Sequence, residues 1–392
     1  MRRIVFVLVD VGMGHTSPAV AVREELERTA PGRFEVLVVD VLREIGLVNL
    51  DRIIKRSWAE VFLRYPVFVD LFYGVSHALA RIVVPAVTLL VGPGLRRLER
   101  FCRSVRPDLL VATHFISINS LALLRRRGRL GTRVIGVAVD PFDAFRIAGH
   151  PGLDGLITFS RRSFAAYRRQ LPAVAVTRFP FPLSARFGAN GTSRHEARRK
   201  LGLPPDRFIL LMTAGADGAG NFHRFYERLV QASLDIHIVV VCGRNLRLRS
   251  ALLAQEPPVR PAGGCVTGQT ILGFVDNMHD LIAACDVFLG AGGANLTLEA
   301  LCLGRPLVLT LSTPNIRGTV DYVVRNGFGW RCGEAAGIVP LVQRLLREPG
   351  LVREAGLRIT AAGIRSGSPE LAAYLAEQAE PEPGLQPFAA PR

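Results

Sequence analysis

The chain has 392 residues, of which 49% are hydrophobic and 21% charged, enough for two domains of ordinary size, each with its own core. Its net charge of +16 is uneven. Residues 1–188 hold 28 Lys and Arg against 15 Asp and Glu, whereas residues 189–392 hold 21 against 18, so the basic first half implies an anionic partner: lipid headgroups, nucleic acid or an acidic substrate.

Residues 4–9 read as a buried strand. Arg2 and Arg3 ahead of it imitate the opening of a signal peptide, but Asp10 and a glycine turn end the apolar run, which suits a cytoplasmic chain. An amphipathic helix is expected over 17–28 and a second strand over 34–39, ending in Asp40. Residues 50–103 lack strand rhythm and are rich in aromatics and arginines. The most apolar part of that stretch, 82–95, is interrupted by Pro85, Gly92, Pro93 and Gly94, and no apolar run reaches the roughly 18–20 residues that span a bilayer. Further parallel strands are expected at 107–113, 133–139, 156–159 and 174–177.

Residues 184–193 have linker chemistry, and a new set of elements follows: a helix at 195–201 and strands at 208–212, 236–241, 271–274, 287–289 and 307–310. Two Rossmann-like α/β halves facing across a cleft are therefore expected, with domains at 1–185 and 186–379 and a proline-rich, disordered tail at 380–392. Six widely spaced cysteines without a Cys-x-x-Cys pair argue against zinc or a disulfide framework.

Five strand ends carry candidate chemistry. Gly290-Ala291-Gly292-Gly293-Ala294 leads from a strand into a helix that bears Glu299. Glycines let a ligand approach the backbone, free N–H groups of the first turn favour an anion, and a carboxylate at Glu299 can accept from ribose hydroxyls. A tight connection with no ligand reads equally well. The turn Gly12-Met13-Gly14-His15 follows the first strand, but Ser17 stands where a dinucleotide fingerprint needs its third glycine. His15 there suits a hydrogen bond to a sugar or phosphate oxygen, a general base, or a turn cap. Asp140, at the end of another strand, suits proton abstraction or the capping of an Asp-Pro turn, and His150 lies ten residues on. In the second half, Gly215 and Ala216 allow backbone N–H groups to approach a diphosphate, and the backbone at Phe274 and Val275 suits the edge of a base. In the insertion, Trp58, Phe62, Tyr65, Phe68, Phe72 and Tyr73 have Arg52, Lys55, Arg56, Arg64 and Arg81 nearby. This composition fits an interfacial helix on anionic lipid, stacking on single-stranded nucleic acid, or a helical hairpin with aromatics in the core.

Taken in order, these segments resemble the processive diacylglycerol glycosyltransferases and plant-type monogalactosyldiacylglycerol synthases of glycosyltransferase family 28. More distantly they resemble the GlcNAc transferase that makes lipid II. The resemblance runs over about residues 4–347 and is most specific in 210–220, Val239-Val240-Val241-Cys242-Gly243-Arg244-Asn245, Leu272-Gly273-Phe274-Val275 and 292–306. Gly12-Met13-Gly14-His15 is similar to the family's Gly-Gly-Gly-His loop, Val139-Asp140 to its Thr-Asp, and His150-Pro151-Gly152-Leu153-Asp154 to its His-Pro-Gly-Val-Asn.

The resemblance implies a GT-B fold, with the acceptor bound mostly by the first domain and a UDP-sugar by the second. It implies Gly292, Gly293 and Ala294 at the diphosphate, Glu299 at the ribose, Phe274 and Val275 at the uracil, and Asp140 or His15 as the base. It further implies an inverting hexosyl transfer from the UDP-sugar substrate to a diacylglycerol-like or other hydrophobic acceptor, without metal or further cofactor. The expected place is the inner face of the membrane, with Trp58, Phe62, Arg56 and Arg64 towards acceptor and lipid. Pro314-Asn315-Ile316-Arg317-Gly318 departs from the family's Gly-Gln-Glu sugar loop: Asn315 can replace the glutamine, but Ile316 cannot make a glutamate's contacts. Gly290-Ala291 likewise replaces a Lys-Pro pair. A soluble acceptor and a non-catalytic nucleotide-sugar-binding protein are the alternatives, and nucleic acid is not expected as a partner because aromatics and basic residues coincide in one insertion only.

Overall fold

Parallel strands buried on both faces must be almost wholly apolar, and the first strand shows it: Ile4, Val5, Phe6, Val7 and Leu8 are all buried. The structure is a computed structural model that describes residues 1–10, 13–57, 66–188, 192–213, 215–216, 222–255, 267–310 and 314–380. Chain contacts divide it into two units. One comprises Met1–Trp58, Val67–Ala185 and the chain from Ser366; the other is essentially Arg186–Arg365.

The first unit is built on β1 (Arg2–Leu8), β2 (Phe34–Asp40), β3 (Leu109–Ala112), β4 (Arg133–Val137), β5 (Gly155–Thr158) and β6 (Ala175–Arg178). All pair in parallel, in the order β2-β1-β3-β4-β5-β6. Val7 of β1 sits opposite Ala112 of β3, so the turns leaving these two strands are neighbours. The direction of winding reverses between β1 and β3, which makes their C-terminal ends the place where an open α/β sheet leaves a crevice.

Among the described residues the insertion forms the helices Val48–Ser57, Pro66–Ala78 and Ala80–Val105. Pro85 and Pro93, which read as interruptions, lie inside the last of these, and Gly94 lets that helix approach Ile45, where a Cβ would lie 2.6 Å from the Ile45 side chain. No described helix is long and apolar enough to cross a membrane.

The end of the chain corrects the expected domain limits. Helix Ser368–Gln378 packs on helix Thr16–Thr29 of the first unit, not on the second. The Arg133 guanidinium donates to Gln378 Oε1 at 3.0 Å, and the Ser368 hydroxyl to the Leu183 carbonyl at 2.7 Å. Gly367 presses on Pro180, whose carbonyl oxygen leaves no space for a Cβ. The expected tail lies outside the described residues except Glu380.

The second unit repeats the plan with β7 (Phe208–Thr213), β8 (Ile236–Val241), β9 (Gly268–Leu272), β10 (Val287–Gly290), β11 (Leu307–Leu309) and β12 (Gly329–Arg331). The order is β12-β11-β10-β7-β8-β9, all parallel, so winding reverses between β7 and β10. Residues 314–318 are the opening of helix Pro314–Arg325 rather than a loop. Proline is preorganised for a first helical turn, and buried Ile316, Val320 and Val323 recur at helical spacing.

Candidate active site

In the first unit, His15 precedes helix Thr16–Thr29 but gives it no side-chain cap. Its Nδ1–H instead donates to the Thr113 carbonyl across the β1/β3 junction at 2.7 Å. A carbonyl only accepts, so Nδ1 carries the proton and Nε2 keeps a lone pair. Burial lowers the imidazole pKa to about 4, opposed by that backbone bond, and keeps the ring neutral at physiological pH.

His114, at the end of β3, meets the His15 ring edge-on with centroids 4.9 Å apart. Its own Nδ1 accepts from Ile116 N–H and caps helix Phe115–Arg126. The sequence reading did not single out His114. Its signal was present, a histidine directly after a buried strand, but the adjacency of β1 and β3 is a property of the topology.

Asp140 follows β4 and caps nothing. Its carboxylate has no hydrogen-bond or ion-pair partner among the described residues, while burial first and the Asp143 charge second push its pKa up to about 7. A half-hidden carboxylate without partners among the described residues does not act as a turn cap, and it can exchange a proton near neutrality. Asp143 pairs with Arg162 at 3.4 Å. His150 serves its own turn: its Nδ1 accepts from Gly152 N–H at 3.0 Å.

In the second unit the candidate residues line one edge of the sheet, on the loops after β10, β7, β8 and β9 in spatial order. Gly292 adopts φ +98°, and a Cβ there would lie 3.2 Å from Val320 and 3.5 Å from Ile316. Ile316 is thus a packing residue behind the glycine turn, which accounts for an apolar side chain at that position. Gly293 is exposed, with open space where a Cβ would point, and no side chain caps the N-terminus of helix Ala294–Cys302. An uncapped first turn beside bare glycine backbone is a ready anion site.

Glu299 lies farther along that helix, without a hydrogen-bond partner among the described residues, and burial raises its pKa to about 7. Next along the edge, Gly215 N–H bonds Thr213 Oγ1 at 3.1 Å, and the Ala216 carbonyl accepts from Arg244 N–H at 2.8 Å. Gly243 has φ +59°, and a Cβ there would meet the Ala216 and Gly215 carbonyl oxygens at 2.3 and 2.6 Å. The loop after β8 therefore braces the loop after β7. Phe274 is 55% exposed, and the Arg244 guanidinium stands 5.0 Å above its ring; Val275 is beside it. Asn315 is in the opening turn of helix Pro314–Arg325, its side chain outside the described set. Arg56 lies in helix Val48–Ser57 with its side chain likewise outside, and Trp58, Phe62 and Arg64 fall outside the described residues altogether.

No protein-family model matches the chain. It is 22% identical over 346 residues to the chloroplastic monogalactosyldiacylglycerol synthase of Spinacia oleracea, covering 84% of this chain and 63% of that one. To a probable monogalactosyldiacylglycerol synthase 2 of Oryza sativa subsp. japonica it is 24% identical over 346 residues, covering 84% and 70%. The chain thus spans about 63% of the length of the spinach relative. Among solved structures, MurG of Acinetobacter baumannii matches with a TM-score of 0.61 at 14% identity, covering 96% of this chain and all of that one. The glycosyltransferase SnogD from Streptomyces nogalater matches with a TM-score of 0.57 at 19% identity, covering 97% and 99%. The resemblance drawn from the motifs holds, and the fold is GT-B, two Rossmann-like domains.

Proposed function

We propose that this GT-B protein is a glycosyltransferase that moves a sugar from a UDP-sugar to a diacylglycerol-like lipid acceptor at a membrane surface. The observation that carries the donor half is the uncapped, glycine-flanked helix Ala294–Cys302 at the β7/β10 reversal, with a partnerless carboxylate, Glu299, on the same helix. The diphosphate is held by main-chain N–H groups of Gly292, Gly293 and Ala294 and of Ala216, the ribose by Glu299, and the uracil by the backbone at Phe274 and Val275.

On the acceptor side, the substrate hydroxyl loses its proton to Asp140 as its oxygen attacks the anomeric carbon. The bond to the diphosphate breaks on the opposite face, so configuration inverts and UDP leaves. His15 Nε2, which keeps its lone pair, accepts a hydrogen bond from the acceptor. Helix-terminal and loop N–H groups stabilise the leaving charge, which supports a reaction without metal.

Two features favour lipid over a soluble acceptor. Helix Pro66–Ala78 exposes Val67, Phe68, Leu71 and Val75. Helix Arg161–Gln170, whose Ser163 hydroxyl reaches the Pro141 carbonyl beside Asp140, exposes Arg161, Arg162, Arg168 and Arg169. An apolar face and a basic face on one unit suit an anionic bilayer surface. Co-sedimentation with anionic and neutral vesicles over a salt series tests this. Salt-sensitive binding to the anionic vesicles is expected, and its absence argues for a soluble acceptor.

A further inference from the structure

Helix Pro66–Ala78 is apolar on both sides. Val69, Phe72, Tyr73 and Ser76 face the protein, while Val67, Phe68, Leu71 and Val75 face outward, Leu71 with 60% of its surface exposed. Five residues beyond Asp140, Phe145 anchors the inner face: its ring stacks on Tyr73 with centroids 4.5 Å apart and planes 28° apart, and Phe72 lies 6.3 Å away. Phe145 is fixed in turn by Tyr167, whose hydroxyl donates to its carbonyl at 3.0 Å. Phe115 then links Phe145, at 6.0 Å, to the His114 ring at 4.4 Å, and His114 meets His15. Aromatic contact thus runs without a break from the exposed helix to His15.

The Asp140 charge acts on two tyrosines, Tyr73 and Tyr167, and they differ in one respect. Tyr167 has its hydroxyl engaged with the main chain, whereas the Tyr73 hydroxyl has no hydrogen-bond partner among the described residues. Burial, followed by the Asp140 charge, holds the Tyr73 phenol well above its ordinary pKa, so it is a neutral donor under working conditions. A neutral donor and a carboxylate acceptor, neither with a hydrogen-bond partner among the described residues, leave a place for a hydroxyl that bonds to both.

We propose that Tyr73 is an acceptor-binding residue, its hydroxyl donating to the acceptor oxygen beside Asp140 while the outer face of its helix rests on the lipid that supplies the acceptor. The inference rests on the lipid-acceptor reading above. Tyr73→Phe keeps the stack on Phe145 and removes only the hydroxyl. With a UDP-sugar panel and diacylglycerol in anionic vesicles, kcat/KM for the acceptor should fall about 5- to 30-fold, the scale of one lost hydrogen bond. UDP affinity, vesicle binding and thermal unfolding should match the wild type. Wild-type acceptor kinetics in Tyr73→Phe would overturn the proposal, and so would a parallel loss of vesicle binding or UDP affinity. A wild-type chain that transfers no sugar at all contradicts the functional reading and takes this inference with it; an active wild type with an unaffected variant contradicts this inference alone.

Discussion

The Nδ1–H of His15 is committed to the Thr113 carbonyl at 2.7 Å, and this one bond decides what the ring can do. A neutral imidazole held this way presents only the Nε2 lone pair, so it accepts from a ligand hydroxyl and cannot donate to a phosphate or sugar oxygen. His15→Ala should lower kcat/KM for the acceptor roughly 10- to 100-fold, as expected for one or two hydrogen bonds, with UDP affinity unchanged. Calorimetric UDP titration beside steady-state kinetics checks it. A loss of UDP affinity equal to the loss of turnover would assign His15 to the donor instead.

As the proposed base, Asp140 should give the reaction its pH dependence. With a pKa of about 7, raised by burial and by Asp143, it is an active base only once ionised, so kcat/KM should climb with pH through about 7. Asp140→Asn should remove that limb and reduce kcat by roughly 10²–10⁴-fold. A limb that persists in the variant would transfer the role of base elsewhere.

Glu299 couples function to stability. Its folded pKa of about 7 stands above the ordinary 4.5 because burial disfavours the charge. Between these values the folded chain holds a proton that the unfolded chain has released, so stability falls as pH rises through this window. Glu299→Gln should therefore be more stable than the wild type at pH 8 by up to about 3 kcal/mol and equal to it near pH 4. Glu299→Ala should weaken UDP binding by roughly 1–3 kcal/mol. Urea unfolding at both pH values, with UDP titration, tests the pair of effects. Stabilisation without any change in UDP affinity would leave Glu299 no part in the donor site.

Gly243 tests the bracing of the donor edge. A Cβ would meet the Ala216 carbonyl oxygen at 2.3 Å, on a backbone with φ +59° that already costs an L-residue about 1–2 kcal/mol. Gly243→Ala should fold, by circular dichroism, while UDP affinity drops at least about tenfold as the Gly215–Ala216 loop is displaced. Unaltered UDP binding would remove that loop from the diphosphate site.

Much of the fold was legible because parallel strands buried on both faces leave continuous apolar runs; β7 and β8 fall where those runs predict. Helix Ala80–Val105 was hidden by Pro85 and Pro93, which break local propensity but not a helix held by packing at Gly94. The return of Ser368–Gln378 to the first unit depends on a surface offered by helix Thr16–Thr29, which no local pattern announces. At the site, glycines and acids at strand ends could be read directly. The His15–His114 contact and the Tyr73–Phe145 stack could not, since each joins segments brought together only by strand order or tertiary packing. Ile316, read as a lost sugar contact, is buried behind Gly292, where burial rather than ligand chemistry sets its identity.

The central claim is sugar transfer from a UDP-sugar to lipid. Its most direct test is incubation of the intact chain with a panel of UDP-sugars and diacylglycerol-bearing anionic vesicles, with UDP release and lipid mass followed together. The account predicts lipid-dependent UDP release with at least one donor, matched by a glycosylated diacylglycerol and abolished in Asp140→Asn. UDP binding without glycolipid from any donor, or UDP release indifferent to lipid, would contradict it.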